Sequence, residues 1–166
     1  APGHAVQMLR AAGVASLSID LIFALPESLG HDFRRDLDRA LELTPDHLSV
    51  YGLSVESRTP FARWISRGAI TPAPDERYAA EFLLAHDVLT KAGYEHYEVS
   101  NYARPERRAR HNGAYWRGGA YAGLGPSAHR FDGLAERAWN VEPWAQYERM
   151  TQHGGDPTQE REVLTA

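Results

Sequence analysis

Leu17-Ser-Ile-Asp-Leu-Ile-Phe-Ala24 is the stretch that decides the fold. It is a mostly apolar run, rich in branched residues, and Pro26 ends it, which is typical of a strand buried on both faces in a parallel sheet. A second strand is predicted at Leu48-Ser-Val-Tyr-Gly-Leu-Ser-Val55. Apolar residues recur at helical spacing over residues 33–41, between the two strands. Strand, helix and strand with short connections indicate a right-handed α/β crossover, the unit of parallel sheets and β/α barrels.

Helical periodicity continues outside this crossover. The further predicted elements are helices over residues 4–12, 59–68, 75–92 and 142–152 and a strand over residues 94–100. Asn140 is placed to cap the last of these helices. Beyond Asn101 no other period extends over more than about one helical turn. We therefore expect loops there, and loops are where binding sites concentrate.

The composition excludes several classes of protein. With 18 basic and 22 acidic residues the net charge is −4, so no field draws the chain to nucleic acid or to an anionic membrane. No apolar stretch approaches the roughly 20 residues that span a bilayer, and no signal peptide is evident, so we expect a cytoplasmic protein. The absence of cysteine excludes disulfides and thiolate-held metal clusters within these residues. A start at Ala1 directly in a helical pattern favours a segment of a longer protein.

A second informative stretch is His111-Asn-Gly-Ala-Tyr-Trp116, which places a histidine, an amide and two aromatic rings within six residues. On a helical turn His111 and Tyr115 share a face, with Trp116 beside them. An imidazole is a normal axial ligand of heme iron, aromatic rings stack on porphyrins, and Asn112 can orient the imidazole. The arginines upstream that can pair with propionates are Arg104, Arg107, Arg108 and Arg110. The alternative is an arginine-rich solvated loop leading into an aromatic-capped helix whose histidine is merely hydrogen-bonded.

Three other features each leave alternatives open. Asp20 interrupts an apolar strand, where it either accepts hydrogen bonds from ribose hydroxyls or holds a neighbouring loop or arginine. The turn Gly123-Leu-Gly-Pro-Ser-Ala-His129 indicates a close approach of backbone to a ligand or to another strand, with His129 as an ordinary loop histidine. His96 and Glu98 lie two apart on a strand and are expected to face the same side, which suits a metal ion, but no third ligand has a convincing spacing.

Taken together, these stretches resemble one family. The residues that carry the resemblance are Asp20-Leu-Ile-Phe-Ala-Leu-Pro26, Leu48-Ser-Val-Tyr51, Thr59-Pro-Phe61, Gly93-Tyr-Glu-His-Tyr-Glu-Val-Ser-Asn-Tyr-Ala-Arg-Pro105 and Gly123-Leu-Gly-Pro-Ser-Ala-His129. In collinear order over nearly the whole chain, they are similar to the radical SAM family of oxygen-independent coproporphyrinogen III oxidases and their relatives. The stretch from His111 to Trp116 matches the motif that marks the branch of HemW-like heme chaperones.

The resemblance implies an α/β fold, the C-terminal part of a partial β/α radical SAM barrel followed by a smaller α+β domain. Residues 1–58 are expected to form the last strands and helices of the barrel, and residues 59–166 the start of the C-terminal domain. The implied cofactors are heme, S-adenosylmethionine and a [4Fe-4S] cluster. In this family the CxxxCxxC loop that holds the cluster lies upstream of the position of Ala1, so the chain is expected to be an internal segment without the cluster ligands.

The resemblance also implies roles for individual residues. Asp20 falls on the family's aspartate that contacts S-adenosylmethionine, and Ser54 and His129 fall on further positions that approach this cofactor. The implied heme site consists of His111, Asn112, Tyr115 and Trp116. His111 is the expected ligand of the heme iron. Ala24 stands where the family has glycine, and alanine tolerates positive φ poorly.

The sequence is consistent with three functions. The first is a HemW-like chaperone that binds heme and S-adenosylmethionine and transfers heme to an acceptor protein of unknown identity. The second is an oxygen-independent coproporphyrinogen III oxidase, a radical SAM enzyme of porphyrin biosynthesis, and the match from His111 to Trp116 argues against it. The third is a cofactor-free interaction module, which is disfavoured because a two-strand slice of a barrel exposes an unpaired edge. We expect this segment alone to be inactive as an enzyme.

Overall fold

The computed structural model describes residues 2–165, which form two compact units, unit 1 (residues 2–108) and unit 2 (residues 109–165). The elements of unit 1 are α1 (Pro2–Ala11), β1 (Ser18–Phe23), a 3-10 turn (Glu27–Leu29), α2 (Phe33–Glu42), β2 (His47–Gly52), α3 (Pro60–Ser66), α4 (Asp75–Lys91), β3 (Glu95–Glu98) and β4 (Asn101–Ala103). The elements of unit 2 are α5 (Arg110–Trp116), β5 (His129–Phe131), β6 (Glu136–Asn140), α6 (Trp144–Gln152) and β7 (Thr158–Val163). The predicted boundary between residues 58 and 59 stays a prediction.

Unit 1 is built on a four-stranded sheet with the strand order β1-β2-β4-β3. β1 and β2 are parallel and α2 connects them, so the predicted α/β crossover is confirmed. β4 pairs antiparallel with β2, and β3 pairs antiparallel with β4. The sheet therefore continues its parallel pair with a short antiparallel extension.

The hydrophobic core of unit 1 lies on one face of this sheet. Its strand residues include Phe23, Leu48 and Val50, and α2 and α4 contribute Leu37 and Leu89. β1 alternates between exposed and covered residues instead of being buried on both faces as the sequence predicts. The reason is its position, because β1 is an edge strand of the sheet within residues 2–165.

Unit 2 contains a three-stranded antiparallel sheet with the order β5-β6-β7. Its buried residues include Ala138, Asn140 and Val141. The side chain of Asn140 donates hydrogen bonds to the carbonyl oxygens of Gly123, at 3.1 Å, and Gly125, at 2.9 Å. A strand residue thus holds the glycine turn, whereas the sequence assigns Asn140 to a helix cap.

Among residues 2–165, no helix combines the length and the apolar character that a crossing of the lipid bilayer requires.

Candidate functional site

The stretch from His111 to Trp116 forms most of α5. The rings of His111 and Tyr115 meet edge to face, with their centroids 4.8 Å apart and an interplanar angle of 82°. This is the contact expected of residues four apart on a helix. Asn112 lies one residue further along the same helix and is half-buried. The structure therefore brings the four residues of the predicted heme site together on one seven-residue helix.

The side chains of α5 are largely exposed. Tyr115 is 45% exposed and Trp116 67% exposed, and α5 contains no buried residue. His111 is also exposed, and within the described residues its imidazole has no hydrogen-bond partner. Both ring nitrogens of His111 are therefore available to a ligand, which disagrees with the alternative of a merely hydrogen-bonded histidine.

A series of aromatic contacts connects α5 to the sheet of unit 2. The rings of Tyr115 and Tyr121 are 4.4 Å apart, and those of Tyr121 and Phe131 are 6.2 Å apart. Tyr121 and Phe131 also exchange two backbone hydrogen bonds of 3.0 Å. A helix of seven residues has little stability of its own. Tyr121 is therefore well placed to hold the helix that carries His111.

Three of the four arginines that were predicted to face propionates have partners inside unit 1. Arg104 donates to the carbonyl oxygen of Pro45 and lies over the ring of Tyr94. Arg107 lies 3.7 Å from the carboxylate of Asp46, and Arg108 forms a 2.9 Å ion pair with Glu95. Arg110 alone of the four has neither an ion pair, nor a side-chain hydrogen bond, nor a ring contact within residues 2–165.

The carboxylate of Asp46 pairs with two arginines, Arg10 and Arg107. Burial opposes its ionisation, but the N–H of Leu17 and the guanidinium groups of Arg10 and Arg107 more than compensate and lower its pKa below the ordinary value. The Arg10–Asp46 ion pair measures 2.9 Å. These contacts stabilise unit 1, so the Arg107 side chain already has a partner within unit 1.

The face of the unit 1 sheet opposite the core is polar. Asp20, Ser49 and Asn101 lie side by side on β1, β2 and β4, and Glu98 follows on β3. Asn101 is buried, and its Oδ1 atom has no hydrogen-bond partner within the described part of the chain. Asp20 is exposed, and residues 2–165 give its carboxylate neither a salt bridge nor a hydrogen bond. The carboxylate of Asp20 is therefore open to a ligand.

His47 lies on the same polar face of the sheet. It pairs with Ser18 of β1, two residues before Asp20. Its Nδ1 atom is 2.9 Å from the hydroxyl of Ser18, and its Nε2 atom is 2.8 Å from the hydroxyl of Tyr97. Burial lowers the pKa of His47, although the negative charges of Asp20 and Glu98 oppose this shift. The imidazole is thus the middle member of a hydrogen-bonded chain of three side chains.

The other two predicted S-adenosylmethionine residues lie in different units. Ser54 is exposed and follows β2, just beyond Leu53, whose N–H donates to the carbonyl oxygen of Phe23 at 3.0 Å. Ser54 and Asp20 therefore lie on neighbouring parallel segments of unit 1. His129 belongs to unit 2, where its ring stacks on that of Trp139 with a centroid distance of 5.3 Å.

The expectation that His96 and Glu98 face the same side is wrong. The strand register shifts between them, so that His96 pairs with Tyr102 and Glu98 with Asn101. Tyr102 and Asn101 are neighbours in β4 and point to opposite faces. No group of three or more side chains suited to a metal ion occurs within residues 2–165.

The chain is similar to several known proteins. No family model matches the chain. The chain is 41% identical over 125 residues to the heme chaperone HemW of Synechocystis, covering 75% of this chain and 30% of that protein. It is 38% identical over 143 residues to the heme chaperone HemW of Mycobacterium tuberculosis, covering 84% of this chain and 36% of that protein.

The chain belongs to the HemW/HemN-like family. The structure is similar to that of coproporphyrinogen III oxidase (HemN) from Escherichia coli, a radical SAM enzyme, with a TM-score of 0.71, which shows a shared fold. The match covers 98% of this chain and 40% of that chain at 23% identity. The predicted α/β fold, a C-terminal part of the radical SAM fold, is confirmed.

The chain spans about a third of the length of the HemW-like relatives that it matches. The sequence analysis selects four residues of α5 as a candidate site but does not select two residues that lie next to them. Tyr121 packs on Tyr115, and Arg117 directly follows α5. Tyr121 carries no local signal. Arg117 lies six residues after His111 and can be found by extending the helical pattern by one residue.

Proposed function

We propose that this chain provides the heme-binding helix of a HemW-like heme chaperone, which binds heme and passes it to an acceptor protein. Two curated relatives at 38–41% identity are named heme chaperones. The observation that carries the proposal is the unpaired, exposed imidazole of His111 beside the exposed rings of Tyr115 and Trp116. Exposed aromatic rings next to a free imidazole suit a planar ligand that contains a metal ion.

Four residues of α5 have roles in this proposal. A nitrogen of His111 coordinates the heme iron, since an imidazole is a common protein ligand of that metal. Tyr115 and Trp116 pack against the faces and edge of the macrocycle. Asn112 lies beside His111 on the helix and limits the orientations that the bound imidazole adopts.

We propose further that Asp20 contributes to an S-adenosylmethionine site, together with Ser54 of the same unit, whereas the role that the resemblance implies for His129 of unit 2 stays a prediction. What supports this role is that the carboxylate of Asp20 is exposed and unpaired on the polar sheet face, where a ligand hydroxyl can donate to it. The 166 residues contain no cysteine, so they supply no thiolate to a [4Fe-4S] cluster. The thiolates of such a cluster have to come from outside these residues.

The heme proposal is tested by titrating heme into the purified protein and recording the Soret band. We expect a shifted Soret band, and we expect His111→Ala to lose that shift or to bind heme at least about tenfold more weakly, because the iron loses its protein ligand. His153→Ala is the matched control, since His153 is also an exposed histidine of unit 2. An unchanged spectrum in His111→Ala contradicts the axial role of His111.

A further measurement separates a chaperone from an oxidase. A longer form of the protein that includes the cysteines of the cluster is supplied with S-adenosylmethionine and incubated with coproporphyrinogen III, and the products are separated by chromatography. We expect no protoporphyrinogen to form. Formation of protoporphyrinogen would show that the protein is an oxidase and would overturn the proposed chaperone function.

A further inference from the structure

Two arginines of unit 2 stand at the two ends of the heme-binding helix. Arg110 is the first residue of α5, and Arg117 follows its last residue. Neither arginine has a carboxylate partner among residues 2–165, whereas Arg161 of the same unit pairs with both Glu136 and Asp156. α5 itself contains no acidic residue. The positive charges around α5 are therefore uncompensated by the described part of the protein.

The spacing of these arginines places them on one side of the helix. Residues seven apart complete about two helical turns, so Arg110 and Arg117 share a face, with their Cα atoms about 10 Å apart along the axis. Arg117 folds back along α5, and its Nη1 atom lies 3.0 Å from the point where a Cβ at residue 113 would stand. Because residue 113 is glycine and has no side chain, the guanidinium of Arg117 can lie on the same side of the helix as Arg110.

We propose that Arg110 and Arg117 bind the two propionate carboxylates of the heme that His111 holds, an inference that rests on the proposed function. Guanidinium groups recognise carboxylates through charge-assisted, often bidentate hydrogen bonds. Two guanidinium groups near one face of a short helix repel each other unless an anion lies between or beside them. A planar ligand with two carboxylates on one edge removes that repulsion, and Arg110 is the immediate neighbour of His111.

The test compares heme with heme dimethyl ester, in which both propionates are esterified and uncharged. Both are titrated into the protein and into the double variant Arg110→Gln/Arg117→Gln. The unmodified protein is expected to bind heme about tenfold more tightly than the ester, since two exposed ion pairs contribute a factor of about this size. The double variant is expected to bind heme about as weakly as the ester, with an unchanged Soret position because His111 still binds the iron.

Arg149→Gln is the matched control, because Arg149 is an exposed arginine on α6 that has no ion pair within residues 2–165. It is expected to retain the preference for heme. Equal affinities of the unmodified protein for heme and ester, or a double variant that retains the preference, would overturn the role of the two arginines while leaving the heme proposal intact. Failure of both compounds to bind would overturn the heme proposal and this inference together.

Discussion

The Oε2 atom of Glu81 accepts a 2.6 Å hydrogen bond from the backbone N–H of Ala24, which lies 57 residues earlier in the chain. Ala24 has a φ of 58°, a conformation that favours glycine. Arg77 completes the contact, since its Nε donates to Glu81 at 2.8 Å and its Nη2 donates to the carbonyl oxygen of Leu25 at 2.6 Å. α4 thus holds the turn that follows β1, the strand that contains Asp20. Ala24 adopts the left-handed conformation in this turn, at the position where the resemblance implies a glycine.

The first prediction concerns this contact. Glu81→Ala should lower the free energy of unfolding by about 1–3 kcal/mol, because it leaves the N–H of Ala24 unpaired and removes the partner of Arg77. Urea denaturation followed by circular dichroism measures the change. Asp87→Ala on the same helix is the control, since its side chain is 65% exposed and its ion pair with Lys91 is long at 3.9 Å. A loss below 0.5 kcal/mol for Glu81→Ala, about the size of an ordinary surface effect, would contradict the prediction.

A second prediction concerns Thr44, an exposed residue that follows α2 and has a φ of 47°. A residue branched at Cβ is strained in this conformation, whereas glycine adopts it freely. Thr44→Gly should therefore raise the midpoint of thermal unfolding, with a gain of about 0.5–1 kcal/mol after the entropy of the unfolded chain is included. Thr44→Ala, which retains a Cβ, should gain less. A lower midpoint for the glycine variant would show that Thr44 makes a compensating contact.

Much of unit 1 follows from sequence periodicity, because β1, α2, β2 and α4 each contribute regularly spaced apolar residues to the core. The strands beyond residue 101 do not follow from sequence periodicity. β7 reads Thr158-Gln-Glu-Arg-Glu-Val163, with one apolar residue, so no alternation identifies it. It forms because it pairs with β6 and because Arg161 bridges Glu136 and Asp156. Such pairing depends on residues about 20 positions away, which a local pattern does not reveal.

The candidate sites divide in the same way. The shared face of His111 and Tyr115 follows from helical geometry and is found as a ring contact. The partners of Arg104, Arg107 and Arg108 lie 10 or more residues away, so a local sequence pattern does not reveal these contacts. The expected common side of His96 and Glu98 failed because a one-residue bulge reverses the alternation of a strand.

A third prediction follows from the lowered pKa of His47, which burial causes. The folded protein binds this proton less readily than the unfolded chain, whose histidines titrate near pH 6.5. The contribution of His47 to stability is therefore complete above about pH 6.5 and is lost as the pH falls toward the folded pKa. The free energy of unfolding should decrease from pH 7 to pH 5 by more in the unmodified protein than in His47→Gln, which carries no titrating group. Urea titrations at the two pH values give the comparison, and equal decreases would exclude His47 as the cause.

The last prediction concerns Tyr121, which we propose positions the heme-binding helix through Tyr115. Tyr121→Ala should weaken heme binding several-fold and broaden or shift the Soret band, because α5 loses its ring contact with the sheet of unit 2. Tyr121→Phe retains the ring and should therefore have the heme affinity and the Soret band of the unmodified protein. If the hydroxyl group were required, Tyr121→Phe would instead resemble Tyr121→Ala. Trp144→Ala is the control for loss of an aromatic ring, since Trp144 is 64% exposed on α6 of the same unit. Equal heme spectra and affinities for Tyr121→Ala and Trp144→Ala would show that Tyr115 holds His111 in place without Tyr121.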